Sequence, residues 1–194
     1  MDLSFDVPYL AGQEVRFMSY GVSEFVKDLR AAVSEELGET AVVQRIKPLA
    51  ERLARSPTWV RSEYYECNPE QGFGVHVLHE EPEHGLWLIA ASWLPQRGAP
   101  PHNHGTWAVI AGVDGEEKNI LWLRRGERLE RRGERVVGAG QAMAFPSDAI
   151  HSVINEGERT TLSLHVYGRN LNFAQRSQFD QESGAETPFN LKLG

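Results

Sequence analysis

From Pro57 onward the chain is written in short apolar runs, each closed by glycine, proline or acidic residues. The runs cover 75–79, 86–93, 107–113, 119–124, 135–137, 142–145, 151–154 and 161–167. Runs this short, bounded by turn residues, predict strands, and many strands at such intervals predict a sandwich or a barrel. Segments 80–85 and 113–116, rich in Glu, Asp, Gly and Pro, read as hairpin turns. The mixed charge run from Arg124 to Arg135 reads as a solvated hairpin.

Ahead of these runs the period changes. Phe25, Val26, Leu29, Val33 and Leu37 recur at helical spacing, with Ser23 suited to an N-cap and Gly38 to the stop. Val43, Ile46, Leu49 and Leu53 mark one face of a second helix over 40–55, and Pro48 predicts a kink or a restart within it. Residues 1–20, broken by Pro8 and Gly12, carry no clear period. The expected organisation is a single mainly β domain over 1–194: a helical N-terminal cap (1–56), a β-barrel (57–176) and a loosely packed polar tail (177–194). With 41% hydrophobic residues in 194, there is enough apolar material for one substantial core.

Several function classes fall away on composition. The formal net charge is −7 and the basic residues are dispersed, so no nucleic-acid partner is expected. No apolar run approaches the ~18 residues that would span a bilayer, so no membrane partner is expected. Met1-Asp-Leu-Ser-Phe-Asp-Val-Pro8 does not read as a signal peptide. Cys67 is the sole cysteine, which rules out an internal disulfide and suits a reducing, cytoplasmic setting. Oligomeric state is not legible.

The chemistry gathers in Pro100-Pro101-His102-Asn103-His104-Gly105-Thr106-Trp107. The prolines disfavour helix, and on an extended segment His102 and His104 point to one face and can converge on one ion. Trp107, beside them, is a candidate pocket wall. Further on, His151 opens a strand after the turn residues Pro146-Ser147-Asp148. Three neutral imidazoles would leave a divalent charge uncompensated and coordination positions open, an arrangement that favours an anionic ligand such as a thiolate. They do not by themselves choose between zinc and iron. Ser163, His165 and Tyr167 alternate along the last apolar run and so share a face, where three inward polar groups must be hydrogen-bonded to be tolerated.

These motifs resemble a known superfamily. Gly140-x5-Pro146-x4-His151-x3-Asn155 is similar to the second motif of the cupins, with Asp148 where glycine is usual, and His102 and His104 match the histidine pair of the first. The glutamate that many cupins carry shortly after that pair is absent, Ala108 and Val109 standing there. Three histidines without an acid look like the thiol dioxygenase branch, and Ser163-x-His165-x-Tyr167 is similar to the triad of cysteine and 3-mercaptopropionate dioxygenases. The resemblance covers roughly 72–180.

That resemblance implies a cupin fold, a double-stranded β-helix or jelly-roll barrel. It also implies Fe(II) held by His102, His104 and His151, and oxidation of a small thiol to its sulfinate with O₂. Tyr167 would hydrogen-bond substrate or oxygen, His165 would orient Tyr167, and Ser163 would orient His165. The cysteine that mammalian cysteine dioxygenase crosslinks to its triad tyrosine has no counterpart, since its place falls at Ala108 or Val109. The carboxylate-binding arginine of that enzyme falls near His76, itself a candidate for the pocket mouth along with Lys118. Bacterial 3-mercaptopropionate dioxygenases place such an arginine in a Tyr-Gly-x-Asn-x5-Arg setting, matched by Tyr167-Gly168-Arg169-Asn170 and Arg176. Arg176 is thus the candidate anchor and Arg169 the weaker one. Two other classes stay open: another cupin metalloenzyme, such as a zinc hydrolase or a carbon–carbon-cleaving dioxygenase, and a non-catalytic cupin that binds a small anion. The lack of a visible carboxylate base disfavours the hydrolase.

Overall fold

The structure is a computed structural model that describes residues 20–33 and 37–190. Most of the unpatterned stretch 1–20 and the last four residues of the expected tail lie outside the described residues.

Among the described residues, two α-helices precede the strands. Helix α1 (Val22–Val33) buries Phe25, Val26, Leu29 and Ala32, and α2 (Glu39–Ala54) buries Val42, Val43, Ile46, Ala50, Leu53 and Ala54. Ser23 falls inside α1, and the N–H of Gly21 donates instead to Glu24 Oε2 at 3.0 Å. Gly38 caps the start of the second helix, where its carbonyl accepts from the N–H of Val42, and residues 34–36, beyond which it is expected to stop the first, lie outside the described residues. No restart occurs at Pro48, and α2 runs unbroken through it. Pro48 and Gln44, whose carbonyl the proline leaves without a donor, are both exposed, so water can serve that carbonyl.

The strands are β1 (Phe73–Glu80), β2 (Trp87–Trp93), β3 (Gly98–His102), β4 (Ala108–Asp114), β5 (Glu116–Arg125), β6 (Arg128–Gly138), β7 (Ala142–Phe145), β8 (Ile150–Ile154), β9 (Thr161–Tyr167), β10 (Ser177–Phe179) and β11 (Glu186–Pro188). They form two sheets, of order β1-β2-β9-β4-β7 and β11-β10-β3-β8-β5-β6. Turn 80–85 closes a true hairpin between β1 and β2, and the charged run closes another between β5 and β6. Segment 113–116, by contrast, is a corner at which the chain leaves the first sheet for the second. Gly115 makes that corner with φ +75°, and a Cβ there would lie 2.7 Å from Thr161 Cγ2.

Alternation along the first sheet separates two cores. Leu88, Ala90, Val109, Ala111, Leu162, Leu164 and Val166 face outward onto the helices. Trp87, Ile89, Ala91, Ala108, Ile110 and Tyr167 face inward, toward the second sheet. With both faces covered, β2 and β9 are buried at every residue, which is why their sequences read as continuous apolar runs. Among the described residues no helix is long and apolar enough to cross a membrane.

The stretch expected to be a loose tail packs as structure. Gln178 of β10 pairs with His102 of β3, β11 pairs with β10, and Phe179 is buried. Residues 177–190 thereby extend the second sheet beside the histidine pair.

Candidate metal centre

His102 ends β3, His104 lies just beyond it, and His151 sits on β8 directly opposite His102 in the antiparallel register. All three are buried, and one ligand nitrogen from each lies within 4.8 Å of the others. Gly105 allows the chain to turn here: its φ is +62°, and a Cβ would come within 2.2 Å of the Gln175 carbonyl oxygen.

Hydrogen bonds decide which nitrogens are free. Nδ1 of His102 lies 2.8 Å from the Pro100 carbonyl, which can only accept, so Nδ1 carries the proton and Nε2 is bare. Nδ1 of His151 lies 2.8 Å from Asn119 Oδ1, which likewise leaves Nε2 bare. Nε2 of His151 faces Nε2 of His104 at 3.2 Å. Two imidazole nitrogens bound ~2.1 Å from one ion would stand about 3.2 Å apart at an angle near 100°. His104 Nδ1 is buried without a hydrogen-bond partner among the described residues. Burial holds His102 down at about 3, with the nearby charge of Arg176 adding to the effect. Burial, then the neighbouring histidines, likewise holds His104 and His151 well below the usual imidazole range. Three neutral rings with clustered nitrogens, two of them left bare at Nε2 by their hydrogen bonds, are a fitting donor set for a divalent cation.

The histidines line a cavity of about 40 Å³ together with Val75, Ile89, Tyr167, Leu171, Arg176 and Phe189. A water needs roughly 10–15 Å³ of such space, so the cavity holds only a few small groups. Ser163, His165 and Tyr167 form a continuous chain: Ser163 Oγ lies 2.8 Å from His165 Nε2, and His165 Nδ1 lies 2.8 Å from the Tyr167 hydroxyl. Burial raises the Tyr167 phenol above its ordinary value and keeps it protonated.

Arg176 is 5% exposed, and its Nε has no hydrogen-bond partner. Its guanidinium lies 4.2 Å from the centroid of the Phe189 ring, which also packs 5.3 Å from the ring of His102. Burial lowers Arg176 to about 10, so it remains a cation at neutral pH. A buried cation without an acidic partner among the described residues is costly unless an anion joins it.

Two expected lining residues lie elsewhere. Trp107 packs with the outer core against the helices, because the alternation that turns Ala108 inward turns Trp107 outward. His76 likewise points away from the cavity that its neighbour Val75 lines: its Nε2 lies 3.0 Å from the Glu66 carbonyl and its ring 5.6 Å from that of Tyr64. Lys118 is engaged outside with Glu134 and Glu156. Arg169 is not among the cavity-lining residues.

One buried acid escapes a reading of the sequence. Glu117, 2% exposed, accepts from Ser163 Oγ at 2.9 Å, from Trp93 Nε1 at 3.0 Å and from Asn119 Nδ2 at 3.3 Å. Burial alone would raise this carboxyl, but the His165 ring, whose Nε2 lies 3.6 Å from Glu117 Oε2, and the hydrogen bonds from Ser163 and Asn119 outweigh it and hold it low. Glu117 is not part of the ligand cluster. In the sequence it sits in Asp114-Gly115-Glu116-Glu117, which looks like a solvated turn; alternation with Asn119 is the one signal that could have turned it inward.

No family model matches the sequence. The structure is similar to a Klebsiella pneumoniae protein with a double-stranded β-helix domain, at TM-score 0.48 and 14% identity over 66% of this chain and 98% of that one. It is also similar to oxalate oxidase in complex with glycolate, at TM-score 0.45 and 20% identity over 57% of this chain and 59% of that one. A third likeness, at TM-score 0.43 and 18% identity, is to the DMSP lyase DddQ from Ruegeria pomeroyi, over 55% of this chain and 51% of that one. The fold is mainly β. Its two facing antiparallel sheets, with helices against the outer face of the first, are the expected barrel and cap. The buried histidine triad lies between those sheets.

Proposed function

We propose that this protein is a cupin and an Fe(II)-dependent dioxygenase that converts a small thiol carboxylate, of the 3-mercaptopropionate or cysteine class, to its sulfinate. The overall reaction is R–SH plus O₂ to R–SO₂H, with both oxygen atoms joined to sulfur. The observation that carries this reading is one small cavity lined by three clustered neutral imidazoles, a protonated phenol and a buried arginine without an acidic partner among the described residues.

His102, His104 and His151 would hold the iron, which would supply redox chemistry and favour the thiolate form of a bound thiol. The protein does the rest. Arg176 offers a planar, permanently charged fork to the carboxylate, and a carboxylate there relieves the cost of burying that charge. The Tyr167 hydroxyl, fixed by His165, stands at the cavity wall where a reacting sulfur or oxygen atom would be. The apolar lining from Ile89, Ile110, Leu171 and Phe189 excludes water and strengthens both polar contacts. A cavity this small suits a three-carbon acid better than a sugar or an aromatic substrate. Glu117 does not favour a hydrolytic reading, because both of its oxygens are already hydrogen-bonded away from the cavity.

Oxygen uptake by the iron-loaded protein with a panel of thiols tests the proposal. The expected result is one O₂ consumed per sulfinate formed, with thiol carboxylates favoured over cysteamine. A protein that binds small carboxylates but consumes no oxygen with any thiol is a non-catalytic anion binder, and the proposal fails.

A further inference from the structure

Two hydrogen-bond chains reach the cavity, and both begin at one carboxylate. One runs from Glu117 through Asn119 to His151. The other runs from Glu117 through Ser163 and His165 to Tyr167. We propose that Glu117 is a positioning residue that sets the donor–acceptor direction of both chains. It holds His151 with its proton on Nδ1 and Nε2 free for an ion, and it turns the Tyr167 hydroxyl proton inward to His165. The inference rests on the metal centre proposed above and adds a residue outside the ligand set.

The argument is one of counting protons. An ionised carboxylate only accepts, and three donors converge on Glu117, of which the Trp93 indole can do nothing but donate. Asn119 must therefore present its NH₂ to Glu117 Oε1, an orientation supported by a second bond to the Glu117 carbonyl at 3.3 Å. Its Oδ1 then faces His151 Nδ1, which must carry the hydrogen. Nε2 of His151 is left bare, facing His104.

The second chain follows the same rule. Ser163 has one proton, which goes to Glu117 at 2.9 Å. Its oxygen can then only accept from His165 at 2.8 Å, so neutral His165 carries its proton on Nε2. Nδ1 of His165 is bare and takes the Tyr167 proton at 2.8 Å. The phenol oxygen is thereby presented to the cavity as an acceptor, suited to a substrate group that still holds a proton. Reversing Ser163 would reverse both remaining bonds and free the phenol proton. Glu117 and Asn119 share the inward face of β5, so one short strand segment fixes both directions.

The test needs neither thiol nor oxygen, so its outcome is independent of whether the protein is a thiol dioxygenase. Histidine-ring ¹⁵N spectra of the metal-free native protein, at a pH where the imidazoles are neutral, should show His151 protonated at Nδ1 and His165 at Nε2. The opposite tautomer at either ring overturns the proposal, and this measurement stands even if no Glu117 variant folds. Glu117→Gln keeps the shape but offers Asn119 a donor as well as an acceptor. It should weaken Co(II) binding by about 10- to 100-fold, the range that supporting contacts to metal ligands typically command. Asn119→Ala should do the same, and the double variant should bind Co(II) no more weakly than Asn119→Ala alone, since Glu117 acts through Asn119. Unchanged Co(II) affinity in Glu117→Gln, or losses that multiply in the double variant, would show that Glu117 does not act on His151.

Discussion

Asn103 and Ser177 exchange two hydrogen bonds: the Asn103 N–H donates to the Ser177 carbonyl at 3.1 Å, and the Ser177 N–H donates to Asn103 Oδ1 at 2.8 Å. Asn103 lies between the two histidines of the pair, and Ser177 follows Arg176. The contact therefore ties the candidate carboxylate anchor to the candidate metal ligands. Replacing Asn103 with Ala leaves the Ser177 N–H without its side-chain acceptor, a loss of roughly 1–3 kcal/mol where the group stays dry. Asn103→Ala is expected to keep its iron and to raise KM for a thiol carboxylate by about 10-fold, at ~1.4 kcal/mol per decade. Loss of iron in this variant would place Asn103 in support of the ligands rather than of Arg176.

The Arg176 prediction separates capture from chemistry. A charge-assisted contact is worth ~1.5–3 kcal/mol, so Arg176→Ala should raise KM for 3-mercaptopropionate by roughly one to two decades. Turnover of cysteamine, which has no carboxylate, should change little. Steady-state oxygen uptake with both thiols decides it, and an equal response to the two would remove Arg176 as the anchor.

Tyr167→Phe should bind iron as the native protein does, because the phenol is not among the clustered ligand atoms. Its turnover should fall by ~10²-fold, the low end for one positioned proton-handling group. Metal analysis beside kcat checks both halves. Unchanged turnover would leave the hydroxyl as a strut for His165 alone.

The helices and the site lie on opposite faces of the first sheet, which makes stability and metal binding separable. Ile46 of α2 is fully buried in the outer core. Ile46→Ala should cost about 2–5 kcal/mol in denaturant unfolding. Co(II) affinity of the folded variant should be unchanged, and a weakened affinity would mean that the cap shapes the site.

Most of the site is legible by counting in twos. Ser163, His165 and Tyr167 converge because alternate strand residues share a face, a rule that needs no tertiary information, and the same count finds His102 with His104 although the strand ends at His102. The same count turns Trp107 outward, against the suggestion of its adjacency to the histidines. Glu117 was hidden for a different reason. An acid after Asp-Gly-Glu reads as solvated, and its burial is justified only by Trp93, Ser163 and Asn119, three donors brought to it by other elements or across the pleat. The packing of residues 177–190 was hidden likewise, since β10 and β11 are short and polar and owe their order to β3. In the helices, the apolar stripes were plain, but Gly38 works equally well in sequence as a stop or as a start.

The central claim is that His102, His104 and His151 hold one catalytic iron. The most direct measurement is iron content per chain in the native protein and in His102→Ala, His104→Ala and His151→Ala, each expressed and purified alongside a check of folding by circular dichroism. The account predicts close to one iron per native chain, and loss of stoichiometric iron in every variant while the barrel stays folded. Full iron occupancy retained in all three variants would put the metal elsewhere and contradict the account.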